Sequence, residues 1–242
     1  MYTFYNEESK MNDKNNHLEN IRNRILQTKP GTLFIPSDFK DLAELKIVNS
    51  TLSRLSNDKT IRRIMRGIYE YPEYSDFLGE FVAPSPDRIA HTIARNNSWT
   101  IAPSGNTALN LLGLSTQVPA TWEYVSNGKY VEYKYDNVTI SFKKTTNKHI
   151  SKLSDKTALV IQAIKALEKE NVTPQIIKKL SKILTPIEKE KLLCEGQYTT
   201  SWIFEVIKKI CNGGTGDESH SKASPKGTGG IIQEYSQQDG YQ

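Results

Sequence analysis

The chain is poor in the residues that carry most metal and redox chemistry. Its 242 residues include two cysteines and four histidines, and their spacing does not form a zinc site. Cys194 and Cys211 lie inside apolar helical patterns and read as packed, reduced thiols; a disulfide between them finds no support. No apolar run approaches the roughly 18 residues that span a bilayer. The opening Met1-Tyr2-Thr3-Phe4-Tyr5-Asn6-Glu7-Glu8 is polar and acidic, unlike a signal peptide. A soluble, cytoplasmic protein without membrane contact, cofactor or bound metal is the expectation.

The residues of catalysis are equally sparse. Ser104 sits in no Gly-x-Ser-x-Gly elbow and reads as a helix cap. Gly213-Gly214-x-Gly216 lacks the lysine and helix of a phosphate loop. Asp87 with Glu132-x-Lys134 spells a short metal-nuclease pattern. However, Asp87 follows Pro84 and Pro86 at a helix start, where a carboxylate complements the helix dipole. Lys134, between Tyr133 and Tyr135, reads as an exposed strand position, and His91 as a packed or surface histidine. No enzyme is expected.

The most telling absence is local, and it is of acid. The chain carries a net charge of +5, yet residues 1–83 hold twelve basic and twelve acidic side chains, so that region is neutral as a whole. Within it, the stretch from Lys46 to Arg66 sets Lys46, Arg54, Lys59, Arg62, Arg63 and Arg66 against a single acid, Asp58. Such a surface is drawn to a phosphate backbone whatever the base sequence.

That stretch also has a shape. Val48, Leu52 and Leu55 recur at helical spacing, which predicts a helix over 47–57 with Asn49, Ser50, Ser53, Arg54 and Asn57 on its other side. Ile61–Ile64 and Ile68–Tyr71 then form a hairpin through Met65-Arg66-Gly67. Upstream, a helix over His17–Gln27 presents Leu18, Ile21, Ile25 and Leu26 and stops at Lys29-Pro30-Gly31. Leu33-Phe34-Ile35 reads as a strand, and Pro36-Ser37-Asp38 as the cap of a second helix carrying Phe39, Leu42 and Leu45. Helix, strand, helix, helix, hairpin is the order of a winged helix-turn-helix. In that arrangement Lys46, Asn49, Ser50, Ser53 and Arg54 meet the major groove. Arg62, Arg63 and Arg66 hold phosphates or reach the minor groove through the wing. Strict alternation from Ile61 would instead turn Arg63 inward to pair with an acid.

The fold class expected is α+β. Residues 17–83 form the winged helix, 84–150 a small α+β domain and 151–211 a helical region, with 1–16 and the tail 212–242 disordered. In the second region, Pro84-Ser85-Pro86-Asp87 opens a helix to about Asn97, Trp99–Ala102 is a strand, and a helix from Ser104 ends at Gly113. Trp122–Ser126, Tyr130–Tyr135 and Val138–Lys143 alternate like strands joined by two hairpin dipeptides, Asn127-Gly128 and Asp136-Asn137. In the third, Ser154, Thr173 and Thr185 cap helices, the last with Glu188 as a capping box. Lys178, Lys179, Lys182, Lys189 and Lys191 read as solvated helix faces.

Two stretches have more specific wording. Leu52-x-Arg54-Leu55, Ile61-x-Arg63 and Arg66-Gly67-Ile68-Tyr69-x-x-Pro72 resemble the N-terminal domain of the AbiEi-type antitoxins. Pro103-Ser104-Gly105-x-x-Ala108-Leu109-Asn110-x-Leu112-Gly113-Leu114-Ser115-Thr116-Gln117-x-Pro119 resembles the start of their second domain. The resemblance covers roughly residues 18–170. It implies the antitoxin of a type IV toxin–antitoxin, abortive-infection pair in phage defence. Such a protein is a DNA-binding autorepressor that sits on inverted repeats before its own operon and opposes a nucleotidyltransferase-like toxin without a stable complex. Asn106, Asn110, Ser115, Thr116 and Gln117, polar and without evident capping duty, are the candidate interaction surface. Two other classes stay open: a solitary winged-helix transcription regulator with an interaction domain, and a metal-dependent nuclease.

Overall fold

The computed structural model describes residues 16–145 and 150–213, so the ends expected to be disordered lie almost wholly outside the described residues. What is described is a mixed α+β molecule with a helical C-terminal region. No helix among the described residues is long and apolar enough to cross a membrane.

The first region begins with α1 (16–26), whose Ile21 and Ile25 are fully buried while Leu26 stays exposed. It continues through β1 (Leu33–Phe34), α2 (Leu45–Asn57), β2 (Arg62–Met65) and β3 (Ile68–Glu70). The helix expected after Pro36 is a single 3-10 turn, Pro36–Phe39. Asp38 folds back to accept the Ile35 N–H at 2.9 Å, and too few residues remain before α2 for a full helix and its turn. Phe39 still reaches the core, whereas Leu45 is exposed. α2 follows its periodicity: Val48, Leu52 and Leu55 are buried against α1, each such burial being worth about 1.5–3 kcal/mol.

The three strands form an antiparallel sheet in the order β1-β3-β2, and both of its faces are covered. Phe34 and Tyr69 pack on one side with Ile21, Val48 and Leu52. Leu33 and Ile68 pack on the other with Ile89 and Ile93 of α3 (Pro86–Asn96) and with the large sheet beyond. The first two regions therefore share an apolar core across residue 83. A further hairpin, β4 (Glu73–Ser75) with β5 (Glu80–Val82), occupies the link, where the sequence suggested no element. Arg95 of α3 spans the junction: it pairs with the Asp38 carboxylate and donates to the Leu33 carbonyl at 3.3 Å.

The large sheet contains β6 (Ile101–Pro103), β7 (Thr121–Ser126), β8 (Val131–Tyr135) and β9 (Val138–Lys144), in the order β6-β7-β9-β8. Asp136, with φ of 48°, turns the β8–β9 hairpin as its sequence suggests. The expected β7–β8 hairpin does not form. β9 inserts between them and runs parallel to β7. Asn127 instead accepts the Thr100 N–H at 2.9 Å, and Gly128 is glycine because a Cβ there would lie 2.4 Å from the Trp99 ring.

Between β6 and β7, α4 (Gly105–Leu111) is tied to the sheet by Thr107 Oγ1, which accepts the Glu123 N–H at 2.8 Å. Ser104 holds the N-cap position without a cap hydrogen bond. Gly113, at φ of 63°, ends the helix as expected, with the Leu114 N–H donating back to the Leu109 carbonyl. Ala108 and Leu112 join the core of α5 (Asp155–Leu167), α6 (Pro174–Ile183), α7 (Pro186–Gly196) and α8 (Ser201–Cys211). Thr173 caps α6, and Thr185 with Glu188 forms the capping box of α7. Ser154 sits at the N-cap of α5, but Glu195 of α7 accepts both its N–H and its hydroxyl.

Candidate nucleic-acid interface

The packing of α2 decides what it offers to solvent. With Val48, Thr51, Leu52 and Leu55 buried, the residues left exposed include Lys46, Asn49, Ser50, Ser53 and Arg54. Ser50 donates its hydroxyl to the Ile47 carbonyl at 2.8 Å, so outward it offers lone pairs. The flanking acids, Glu44 and Asp58, lie at the two cap positions and leave the face between them without a carboxylate.

Arg66 and Gly67 make the two-residue turn of the hairpin, and Gly67 takes a φ of 76° that would strain any other residue there. Arg66 is exposed at the tip. A register shift between Arg63 and Met65 bends the strand just before it.

Arg62 and Arg63 have opposite fates. Arg63 shares the face of Tyr69, its cross-strand partner, as alternation from Ile61 requires. The alternative, an inward ion pair, is absent among the described residues: on this edge strand Arg63 remains exposed. Arg62 is the one that turns to an acid. Its Nε and Nη2 donate to Glu70 Oε2 at 2.9 and 2.5 Å, and Nη2 also donates to the Val82 carbonyl at 2.8 Å. Glu70 is 1% exposed. Burial pushes its carboxyl above the usual carboxylate range, opposed by the Arg62 guanidinium. Arg62 is thus committed to Glu70 and Val82, although its side chain stays 35% exposed.

Arg24 grips Asp41 with two hydrogen bonds of 2.8 and 2.6 Å, Arg95 holds Asp38, and Arg62 holds Glu70. Lys46, Arg54, Lys59, Arg63 and Arg66 make no ion pair with any described residue.

In the second region, the nominated polar residues separate into two groups. Asn110 Nδ2 donates to the Gln117 carbonyl at 2.9 Å, and Ser115 Oγ accepts the Gln117 N–H at 3.2 Å. These two fix the loop after α4. Asn106, Thr116 and Gln117 are exposed. The nuclease pattern is not assembled. Asp87 accepts the Tyr124 hydroxyl at 2.8 Å on the apolar face of the large sheet. Glu132 lies on the opposite face, where it accepts from Tyr130 and Ser141.

One constellation escaped the sequence reading. Asp87 and His91, one helical turn apart on α3, stand 3.7 Å from each other at a cleft of about 240 Å³. Ile101, Leu111, Asp155 and Lys156 complete its wall. Burial, followed by the Asp87 charge, raises the pKa of the Tyr124 hydroxyl and keeps it a donor. The i, i+4 spacing of Asp87 and His91 was the available signal.

Residues 20–192 match the model of DUF6088, a family of unknown function. No match was found among curated proteins.

Proposed function

We propose that this chain, which belongs to the DUF6088 family, is a DNA-binding autorepressor that serves as the antitoxin of a type IV toxin–antitoxin pair in phage defence. The DNA-binding part is carried by one observation. Lys46, Arg54, Lys59, Arg63 and Arg66 make no ion pair with a described residue and fall together on α2 and the following turn and hairpin, while Arg24, Arg62 and Arg95 are consumed in structural pairs; Arg22, Lys29 and Lys40 are also unpaired but lie outside this group. Sheet order β1-β3-β2 with α2 packed on one face supports a winged-helix reading of residues 17–83.

In this reading α2 lies in the major groove of the operator. Arg54 offers a forked donor to guanine, Asn49 and Ser53 read neighbouring base edges, and Lys46 meets a phosphate. Arg63 and Arg66 hold the backbone beside the groove, with the Gly67 turn setting their approach. Arg62 does not touch DNA; it fixes the strand that carries Arg63. The antitoxin part rests on the wording of residues 103–119, whose exposed Asn106, Thr116 and Gln117 are the surface through which the toxin is opposed. The toxin is a nucleotidyltransferase-like enzyme, and no stable complex with it is required.

Binding of the full chain to duplex DNA from its own promoter, followed by fluorescence anisotropy across a salt series, tests the reading. Log affinity should fall against log salt with a slope of roughly −3 to −5, as expected for a few phosphate contacts. A flat salt dependence would reject the mechanism.

A further inference from the structure

Among the described residues, the large sheet ends in a strand whose outer edge is bare. β8 pairs with β9 on one side, and no other described backbone group bonds to residues 131–135. A free edge of this kind is a template for another strand. Its side chains limit what that strand can be. Val131, Tyr133 and Tyr135 lie on the apolar face with Phe142, Ile140 and Val138, and are half-buried. Glu132 and Lys134 lie on the polar face and are exposed.

We infer that β8 is a homodimer interface, pairing antiparallel with β8 of a second copy about a two-fold axis through Tyr133. In that register Glu132 stands opposite Lys134 of the other copy, and Lys134 opposite its Glu132. Val131 meets Tyr135, and Tyr133 meets itself. Both charge pairs are attractive, both apolar pairs extend the existing face, and the two sheets join into one. The interface is self-complementary, as a closed two-fold contact must be. No other strand is needed to satisfy it: the sequence Val-Glu-Tyr-Lys-Tyr is its own match. A two-fold axis of antiparallel pairing stands perpendicular to the sheet, so each copy keeps the same face up. The α1–α2 layer lies beyond the apolar face, and the dimer therefore carries both α2 helices on one side.

Sedimentation velocity of the full chain over a concentration series, without DNA, tests this separately from any operator binding. The wild type should dimerise as concentration rises. Glu132→Lys or Lys134→Glu alone sets like charges opposite each other at both pairs. Each should raise the dimer dissociation constant by about tenfold or more. The double variant, Glu132→Lys with Lys134→Glu, restores both attractive pairs and should return dimerisation close to the wild-type value. Circular dichroism of each variant checks that the monomer fold is intact. A wild type that stays monomeric up to about 0.5 mM would overturn the inference. Dimers indifferent to both single reversals, or a double variant as weak as the singles, would overturn it as well.

Discussion

Two cation-rich surfaces of this molecule look alike in the sequence and differ in the structure. On α6 and α7, Lys179 donates to the Gly113 carbonyl and Lys189 to Ser181 Oγ, and Glu188, Glu190 and Glu195 are interleaved among the lysines. On α2 and its hairpin, Lys46, Arg54, Arg63 and Arg66 are exposed and no carboxylate stands among the helix's outward residues. Charge density alone does not distinguish them. What does is the company the cations keep: Lys179 and Lys189 are tied to the fold and α7 sets Glu188, Glu190 and Glu195 among its lysines, whereas the α2 row has neither. A cation tied to its own fold has little left to give to a ligand, whereas an uncompensated row gains by meeting phosphates.

The largest effect that tests this distinction concerns stability. Arg62→Ala should destabilise the fold by about 2–4 kcal/mol, because it strands Glu70 as an unpaired carboxylate in the interior. The loss should depend on pH. Glu70 titrates above its unfolded value, so below about pH 4 it is protonated in both states and the variant's deficit is small. The deficit should grow as pH rises through the folded pKa. Chemical denaturation at several pH values measures it, and an equal deficit at pH 3.5 and pH 7 would remove Glu70 as the cause.

Next is DNA affinity. Arg54→Ala should weaken operator binding by about 1–3 kcal/mol while barely changing binding to random duplex. Lys189→Ala, on the interleaved surface of α7, should change neither. Equal losses from the two variants would erase the distinction between the surfaces. The smallest effect is on the salt slope. Arg66→Ala should weaken operator and random DNA alike and flatten the slope by about one unit; titrations of both duplexes across a salt series would show it.

Much of this was legible in local sequence. The face of α2, the Gly67 turn, the Thr173 and Thr185 caps and the Asp136 turn are set by residues within a few positions of one another, and the structure follows them. What was not legible depends on distant pairing. Asn127-Gly128 has the composition of a hairpin turn, but the insertion of β9 and the packing of Trp99 decide that segment. Arg62 was misjudged because its partners, Glu70 and the Val82 carbonyl, lie eight and twenty residues away in the sequence. A signal for the covered sheet was present: Leu33-Phe34-Ile35 and Ile68-Tyr69 are continuous apolar runs, which mark strands covered on both sides. The spacing of Asp87 and His91 puts them one helical turn apart, but the cleft they line is built from four elements and so could not be read from it.

The doubly covered sheet also bears on how such a protein can change over generations. A reading head that folds by itself can be exchanged between genes by recombination at its border. Here a break after residue 83 would strip Leu33, Ile35 and Ile68 of the Ile89, Ile93 and Trp122 side chains that keep them from water. The swapped piece would inherit an oily flank fitted to its former neighbour. On the proposed DNA-binding reading, new target preferences would therefore arise by substitution on the outward residues of α2, which are exposed and lie outside both cores.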